Sequence, residues 1–187
     1  VGLIAAVFGM FAAVSGTRNK DPKVLRLVPR FAWLMLFAGI GAFAAMEYAL
    51  ITRDFTLDYV QRVGSRTTPA LYNFTAIWSA LEGSILLWTL VLTGLTVGVA
   101  FKYRKKMNDE MVGWAMATMF FVSVFFFLLT LGPANPFAAG PPGVTDGPGP
   151  NPLLQNHILV VFHPPILYLG YVGMTVPFAF AIGALIT

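Results

Sequence analysis

Ile158-Leu159-Val160-Val161-Phe162-His163-Pro164-Pro165-Ile166-Leu167-Tyr168-Leu169-Gly170 opens the last apolar run of the chain, which continues to Thr187 without an Asp, Glu, Lys or Arg. Such a run reads as a transmembrane helix, because a hydrocarbon core about 30 Å thick is crossed by about 20 apolar residues. Two prolines follow His163 near its beginning. Proline fixes φ near the helical value and lacks an N–H that a first turn could not pair, so the spacing predicts a helix start with His163 at or beside the N-cap. An imidazole would then be held at the mouth of a membrane helix, with a ring-nitrogen lone pair available to a metal. On position alone, ligation and a plain capping hydrogen bond both stay open.

Working outward, Phe31–Ile51, Gly83–Phe101 and Met111–Leu131 are also long enough to span. Val1–Gly16 reads as a shortened fifth span, without the charged start and cleavage site of a signal peptide. With 57% hydrophobic and 11% charged residues, against about 25% charge in soluble domains, the chain is predicted to be an all-α polytopic transmembrane helical bundle of about five spans. Residues 1–187 are expected to form a single transmembrane helical domain belonging to a longer protein, since the chain starts on Val and stops inside an apolar run.

Nine of the twelve Lys and Arg residues fall in two short loops: Arg18, Lys20, Lys23, Arg26 and Arg30, then Lys102, Arg104, Lys105 and Lys106. Positive-inside bias accounts for them, so the formal charge of +4 does not call for a nucleic-acid partner. These loops are expected to face the cytoplasm, with Thr52–Thr68 and residues 132–157 on the outer side. The chain has no Cys, which excludes disulfides, thiolate metal sites and thiol nucleophiles within it. Any redox chemistry must come from a cofactor or a partner.

On the outer side, Thr68-Pro69 reads as an N-cap and N1 pair of a helix continuing to Phe101, with Gly83 as a bend. The outer loop at 132–157 precedes the His-Pro-Pro helix. Its stretch Gly132–Asn156 holds seven prolines, five glycines and no charge except Asp146. Phe137, Leu153 and Leu154 are its apolar anchors and suggest packing on the membrane surface. Gly94 and Gly98 read as a face for close helix packing.

Depth arithmetic at 1.5 Å per residue brings Glu47, Glu82 and His163, from three helices, to the outer boundary of the core. Trp78, Trp88, Phe162, Tyr168 and Tyr171 gather near them in this reading, and Arg62 and Arg66 lie in the adjoining loop. A flat apolar macrocycle with an iron centre would use one imidazole, aromatic walls such as Trp78, and cations such as Arg62 or Arg66 for its carboxylates. Plainer readings stand beside this one. Glu47 could pair with Arg53, Glu82 could sit at a helix start favoured by the dipole, and the aromatics could form an interfacial belt. His157 could be an exposed loop residue or a second iron ligand.

Asn151-Pro152-Leu153-Leu154-Gln155 followed by Phe162-His163-Pro164-Pro165-Ile166-Leu167-Tyr168-Leu169-Gly170-Tyr171-Val172-Gly173 resembles the haem lyase subunit of bacterial cytochrome c maturation, the CcmF type. Asp54-Phe55-Thr56-Leu57-Asp58-Tyr59-Val60, Leu71-Tyr72 and Trp78 through Glu82-Gly83-Ser84 to Leu87-Trp88 are similar to that family's first outer loop and third span. Asn135-Pro136-Phe137 and Asp146-Gly147 are similar to the loop before its His motif.

The resemblance implies a multi-pass protein of the bacterial inner membrane. It would take haem b from a haem chaperone and join its vinyl groups to apocytochrome c on the non-cytoplasmic side. The thiols would be kept free by thiol-reducing and apocytochrome-presenting maturation subunits. It also implies that His163 is an axial haem ligand. The tryptophan-rich WWD segment, the second axial His and the ligands of a structural haem are expected further along, so this stretch would hold an incomplete site. Trp78, Glu82, Arg62 and Arg66 are candidates from position only. Two other functions compete: ion or proton translocation through Glu47 and Glu82, and a structural scaffold using the Gly/Pro loop.

Overall fold

The structure, a computed structural model, describes residues 1–153 and 157–187. Leu154 and Gln155, the loop anchor and motif residue named above, lie outside the described residues. The helices are α1 (Gly2–Arg18), α2 (Pro22–Leu25), α3 (Val28–Thr52), α4 (Asp58–Val63), α5 (Ala70–Thr75), α6 (Leu81–Lys102), α7 (Glu110–Leu131), α8 (Leu159–Gly173) and α9 (Thr175–Ile186). Single 3-10 turns occupy Ala76–Trp78 and Arg104–Lys106. Pro22–Thr52, Leu81–Lys102, Glu110–Leu131 and Leu159–Ile186 are long and apolar enough to cross a membrane, and α1 is a shorter apolar helix. The chain is an all-α, multi-pass membrane protein. α8 and α9 part at Met174. Pro177 explains the break, because its ring opposes and cannot hydrogen-bond the carbonyl four residues earlier, on Gly173.

The chain divides into two compact units. The first comprises Val1–Ile40, Thr89–Leu128 and Leu169–Thr187. Its packing starts from the small residues of α1: Gly2, Ala5, Ala6, Gly9, Ala12, Ala13 and Gly16 recur at helical spacing and are all buried. A methyl group added at Gly9 would meet the Phe120 ring, and one at Gly2 the Phe127 ring. Small residues on one helix thus receive large side chains of another, the packing mode expected where lipid removes the hydrophobic drive between helices. Leu25, Val28, Ala32, Met35, Met116 and Met119 complete this core. Gly94 and Gly98 receive no such side chain from the described residues, none of which lies within 4 Å of a methyl built on either; the buried residues of that stretch are Leu92, Thr93, Thr96, Val97, Val99 and Ala100.

The second unit comprises Gly41–Trp88 and Leu129–Tyr168. Here the chain turns away from long helices and its polar groups carry the order. α3 ends on Arg53, a non-glycine residue in the left-handed region at φ 56°. Its guanidinium donates to the carbonyl oxygens of Ser65 at 3.2 Å and Thr68 at 3.4 Å, not to Glu47. Thr68 does not cap α5: Pro69 is the N-cap, without a side-chain cap. The helix expected from Pro69 to Phe101 is interrupted at Ala76–Ala80, ahead of Gly83. Gly83 serves close approach, since a Cβ there would overlap the Ile77 carbonyl oxygen.

The Pro/Gly-rich loop packs against the segment after α3. The N–H of Asp58 donates to the Ala138 carbonyl at 2.9 Å and that of Gly140 to the Thr56 carbonyl at 2.8 Å, around an isolated antiparallel bridge between Leu57 and Ala139. Gln61 Nε2 donates to the Pro141 carbonyl at 2.8 Å. Asp146 accepts from the N–H groups of Arg66 at 2.8 Å and Gly147 at 2.9 Å. The hydrogen bond from the Arg66 backbone holds the Asp146 carboxyl below its usual value. Hydrogen bonding to protein thus fixes this loop.

Candidate functional site

The spacing predicts His163 at or beside the N-cap of its helix; it is instead the fifth residue of α8, which begins at Leu159 with both prolines inside it. His157 takes the cap. Its Nδ1 accepts from the Leu159 N–H at 3.2 Å, and its carbonyl accepts from the Val160 N–H at 3.0 Å. Two donors that open the helix are thereby satisfied.

Prolines in a helix leave carbonyls without partners, and Pro164 has no N–H for the carbonyl four residues earlier, on Val160. The Trp78 indole Nε1–H donates to that oxygen at 2.8 Å. A residue 82 positions away thus replaces the missing backbone bond, and the 3-10 turn is tied to the start of α8. The turn is itself held. The buried Tyr59 hydroxyl bonds the Ala76 and Ile77 carbonyls at 3.0 and 2.8 Å, and burial pushes its pKa up, so it stays protonated.

Val160, Pro164 and Tyr168 lie one turn apart on one face of α8. At the far end of that face the Tyr168 hydroxyl is 3.0 Å from Ser84 Oγ, and its ring meets Trp88 edge-on at 5.4 Å between centroids. His163 sits about 100° round the helix from Pro164, and it is exposed. With Trp78, Ser79, Leu153, His157, Leu159, Val160 and Pro164 it lines a cavity of about 380 Å³. Neither ring nitrogen has a hydrogen-bond partner among the described residues. Nor do these hold a cluster of three or more His, Cys, Asp or Glu able to bind a metal ion. His163 is therefore a lone imidazole, which suits a metal carried in a macrocycle better than a bare ion.

The structure brings His163, Trp78 and His157 together but not the other candidates. Arg62 donates to Glu82 at 2.6 Å and Asp58 at 2.9 Å. Partial burial opposes its charge, yet the hydrogen bonds it donates to Glu82 and Asp58 prevail and raise its pKa above the usual value. Arg66 Nε donates to the Thr145 carbonyl at 2.8 Å. Neither arginine, nor Glu82, lines the cavity. Glu47 is 8% exposed and both its oxygens lack hydrogen-bond partners among the described residues. The sequence signal that could have exposed the Trp78 bond was Pro164 itself, which orphans a carbonyl, although nothing local names the donor.

The family described as "Cytochrome C assembly protein" matches residues 78–187, which include Trp78, His157 and His163. The chain belongs to that family. It is 37% identical to the cytochrome c-type biogenesis protein CcmF of Escherichia coli (strain K12), over 100% of this chain and 28% of that protein. Identity to the CcmF of Pseudomonas fluorescens is 41%, over 84% of this chain and 23% of that one. The solved structure of "Cytochrome c Heme Lyase CcmF" superposes with a TM-score of 0.83 at 33% identity, covering 98% of this chain and 28% of that chain. The chain is thus CcmF-like and spans less than a third of these relatives' length.

Proposed function

We propose that this chain supplies part of the haem-binding surface of a cytochrome c haem lyase, with His163 as an axial ligand. The surface would face the non-cytoplasmic side of the bacterial inner membrane, and residues 1–187 would act as one transmembrane domain within the larger enzyme. The observation that carries this reading is the His163 imidazole, without a hydrogen-bond partner among the described residues, in a cavity walled by Trp78, Leu159, Val160 and Pro164. One free nitrogen, one indole and aliphatic walls suit the edge of haem b. Bound haem would supply an iron that takes axial nitrogen and vinyl groups that accept apocytochrome thiols.

This chain's part is positioning. Trp78 and Tyr168 pin α8 to the α5–α6 segment on both sides of His163, so the imidazole is presented from a fixed helix face. Leu153, Leu159 and Val160 keep the wall beside it apolar. Haem chaperone, apocytochrome c and thiol-reducing maturation subunits are the partners this role requires. Trp78 belongs to the site as the residue that fixes α8. Arg62 and Glu82 lie outside the cavity and join α4 to α6, and Arg66 holds the Gly/Pro loop.

A translocation pathway through Glu47 and Glu82 is less well supported, because Glu82 is ion-paired with Arg62. Comparing difference spectra of the haem-loaded complex with and without His163→Ala tests the reading. A Soret band displaced by the substitution, with membrane insertion intact, is the expected result. An identical band would remove it, and proton flux dependent on Glu82 would favour translocation instead.

A further inference from the structure

We propose that His157 is the anion-contacting donor of the His163 cavity: its Nε2–H hydrogen-bonds a carboxylate of the metalloporphyrin that His163 ligates, and it is not itself an iron ligand. This rests on the haem-binding reading above. Both imidazoles line the same cavity, but their nitrogens are engaged differently. His157 Nδ1 accepts from the Leu159 N–H at 3.2 Å, so that nitrogen carries the lone pair and the ring proton sits on Nε2. Ligation through Nδ1 would break this bond. Ligation through Nε2 would move the proton to Nδ1, place two donors face to face and orphan the first N–H of α8. His157 can therefore keep its helix cap only as a donor.

The other polar groups of the described lining are already engaged. Trp78 Nε1–H donates to the Val160 carbonyl at 2.8 Å, and the Ser79 hydroxyl donates to the Ala76 carbonyl at 2.8 Å. The arginines that could serve a carboxylate lie outside the cavity, Arg62 against Glu82 and Asp58 and Arg66 against the Thr145 carbonyl. With His163 assigned to the metal, the His157 Nε2–H is the donor that the described lining leaves for an acidic substituent. The two histidines divide the work, one holding the metal and the other setting which edge of the ring approaches the start of α8. His157 is thus a residue for orientation, and the ligand class it selects is a metalloporphyrin bearing free carboxylates.

Two substitutions preserve the cap while altering the donor, since both Asp and Asn accept a backbone N–H at a helix start. His157→Asp introduces a negative charge and no donor; His157→Asn keeps an amide donor. The full-length membrane protein in detergent would be titrated with ferric protoporphyrin IX and with its dimethyl ester, read as difference spectra. His157→Asp is expected to weaken the free acid by about tenfold and leave the ester unchanged, while His157→Asn changes either by no more than about threefold. The Soret position stays constant in both. Equal loss of acid and ester with a displaced Soret band would make His157 a ligand and overturn the proposal. Unchanged affinity of His157→Asp for the free acid would reduce His157 to a cap and also overturn it. His163→Ala, measured in parallel, separates the underlying reading: if its spectra and affinities match those of the unsubstituted protein, the haem-ligand assignment fails whatever His157 does.

Discussion

The two units solve their packing in opposite ways. In the first, glycines of α1 receive aromatic rings: Gly9 faces Phe120 and Gly2 faces Phe127. In the second, two glycines receive backbone, Gly83 the Ile77 carbonyl and Gly147 the carbonyls of Gln61 and Gly64, while Gly140 meets the polar Gln61 side chain. The first unit is joined by dispersion between apolar surfaces. The second is joined by directed hydrogen bonds from Tyr59, Trp78, Arg53 and Gln61 to main-chain oxygens. Directed bonds fix side chains within narrow limits, which a ligand site requires, and His163 and Glu47, both without hydrogen-bond partners among the described residues, belong to that second unit.

Substitutions can break this contrast. Gly83→Ala drives a methyl group into a carbonyl that cannot rotate away, and it should destabilise the second unit by about 3 kcal/mol, read as a lower thermal midpoint in detergent. Gly9→Ala meets a ring that can turn, so about 1 kcal/mol is expected. Equal losses would erase the distinction between the units. Trp78→Phe leaves the Val160 carbonyl without its donor and should cost about 1–2 kcal/mol, with faster amide exchange at the start of α8; unchanged exchange there would contradict the tie.

Acid should loosen the Gly/Pro loop. The folded Asp146 carboxyl lies below its ordinary value, so its stabilising contribution is complete above that ordinary value and is lost as pH falls through the depressed one. Protection of the Arg66 and Gly147 amides should fall only in that acidic range, and loss near neutral pH would contradict the assignment. At the small end, Glu110→Gln removes the exposed Lys20–Glu110 pair of the first unit, 2.8 Å long, and should leave the thermal midpoint unchanged. A clear drop would show that charge contributes to the stability of this apolar unit.

How far these features were legible depended on range. The spans were, because hydropathy summed over many residues reports the lipid solvent directly. His163 stood out because an imidazole beside two prolines in an apolar run has few plain explanations. Its place in the helix did not follow. Pro164 and Pro165 read as a start because local rules assign an orphan carbonyl no partner, whereas Trp78 supplies one from 82 positions earlier in the chain. Glu47 with Arg53 was the natural local pair, yet Arg53 turns to Ser65 and Thr68 while Glu82 draws Arg62 across 20 positions. Gly83 carried the same ambiguity, since a bend and a close approach ask for the same residue.

The most direct test of the central claim is ligand replacement at position 163. In the full-length protein loaded with haem, His163→Gly should shift the Soret band away from that of the His-ligated form, and added imidazole should restore it. A band indifferent to both the substitution and the imidazole would contradict ligation by this residue.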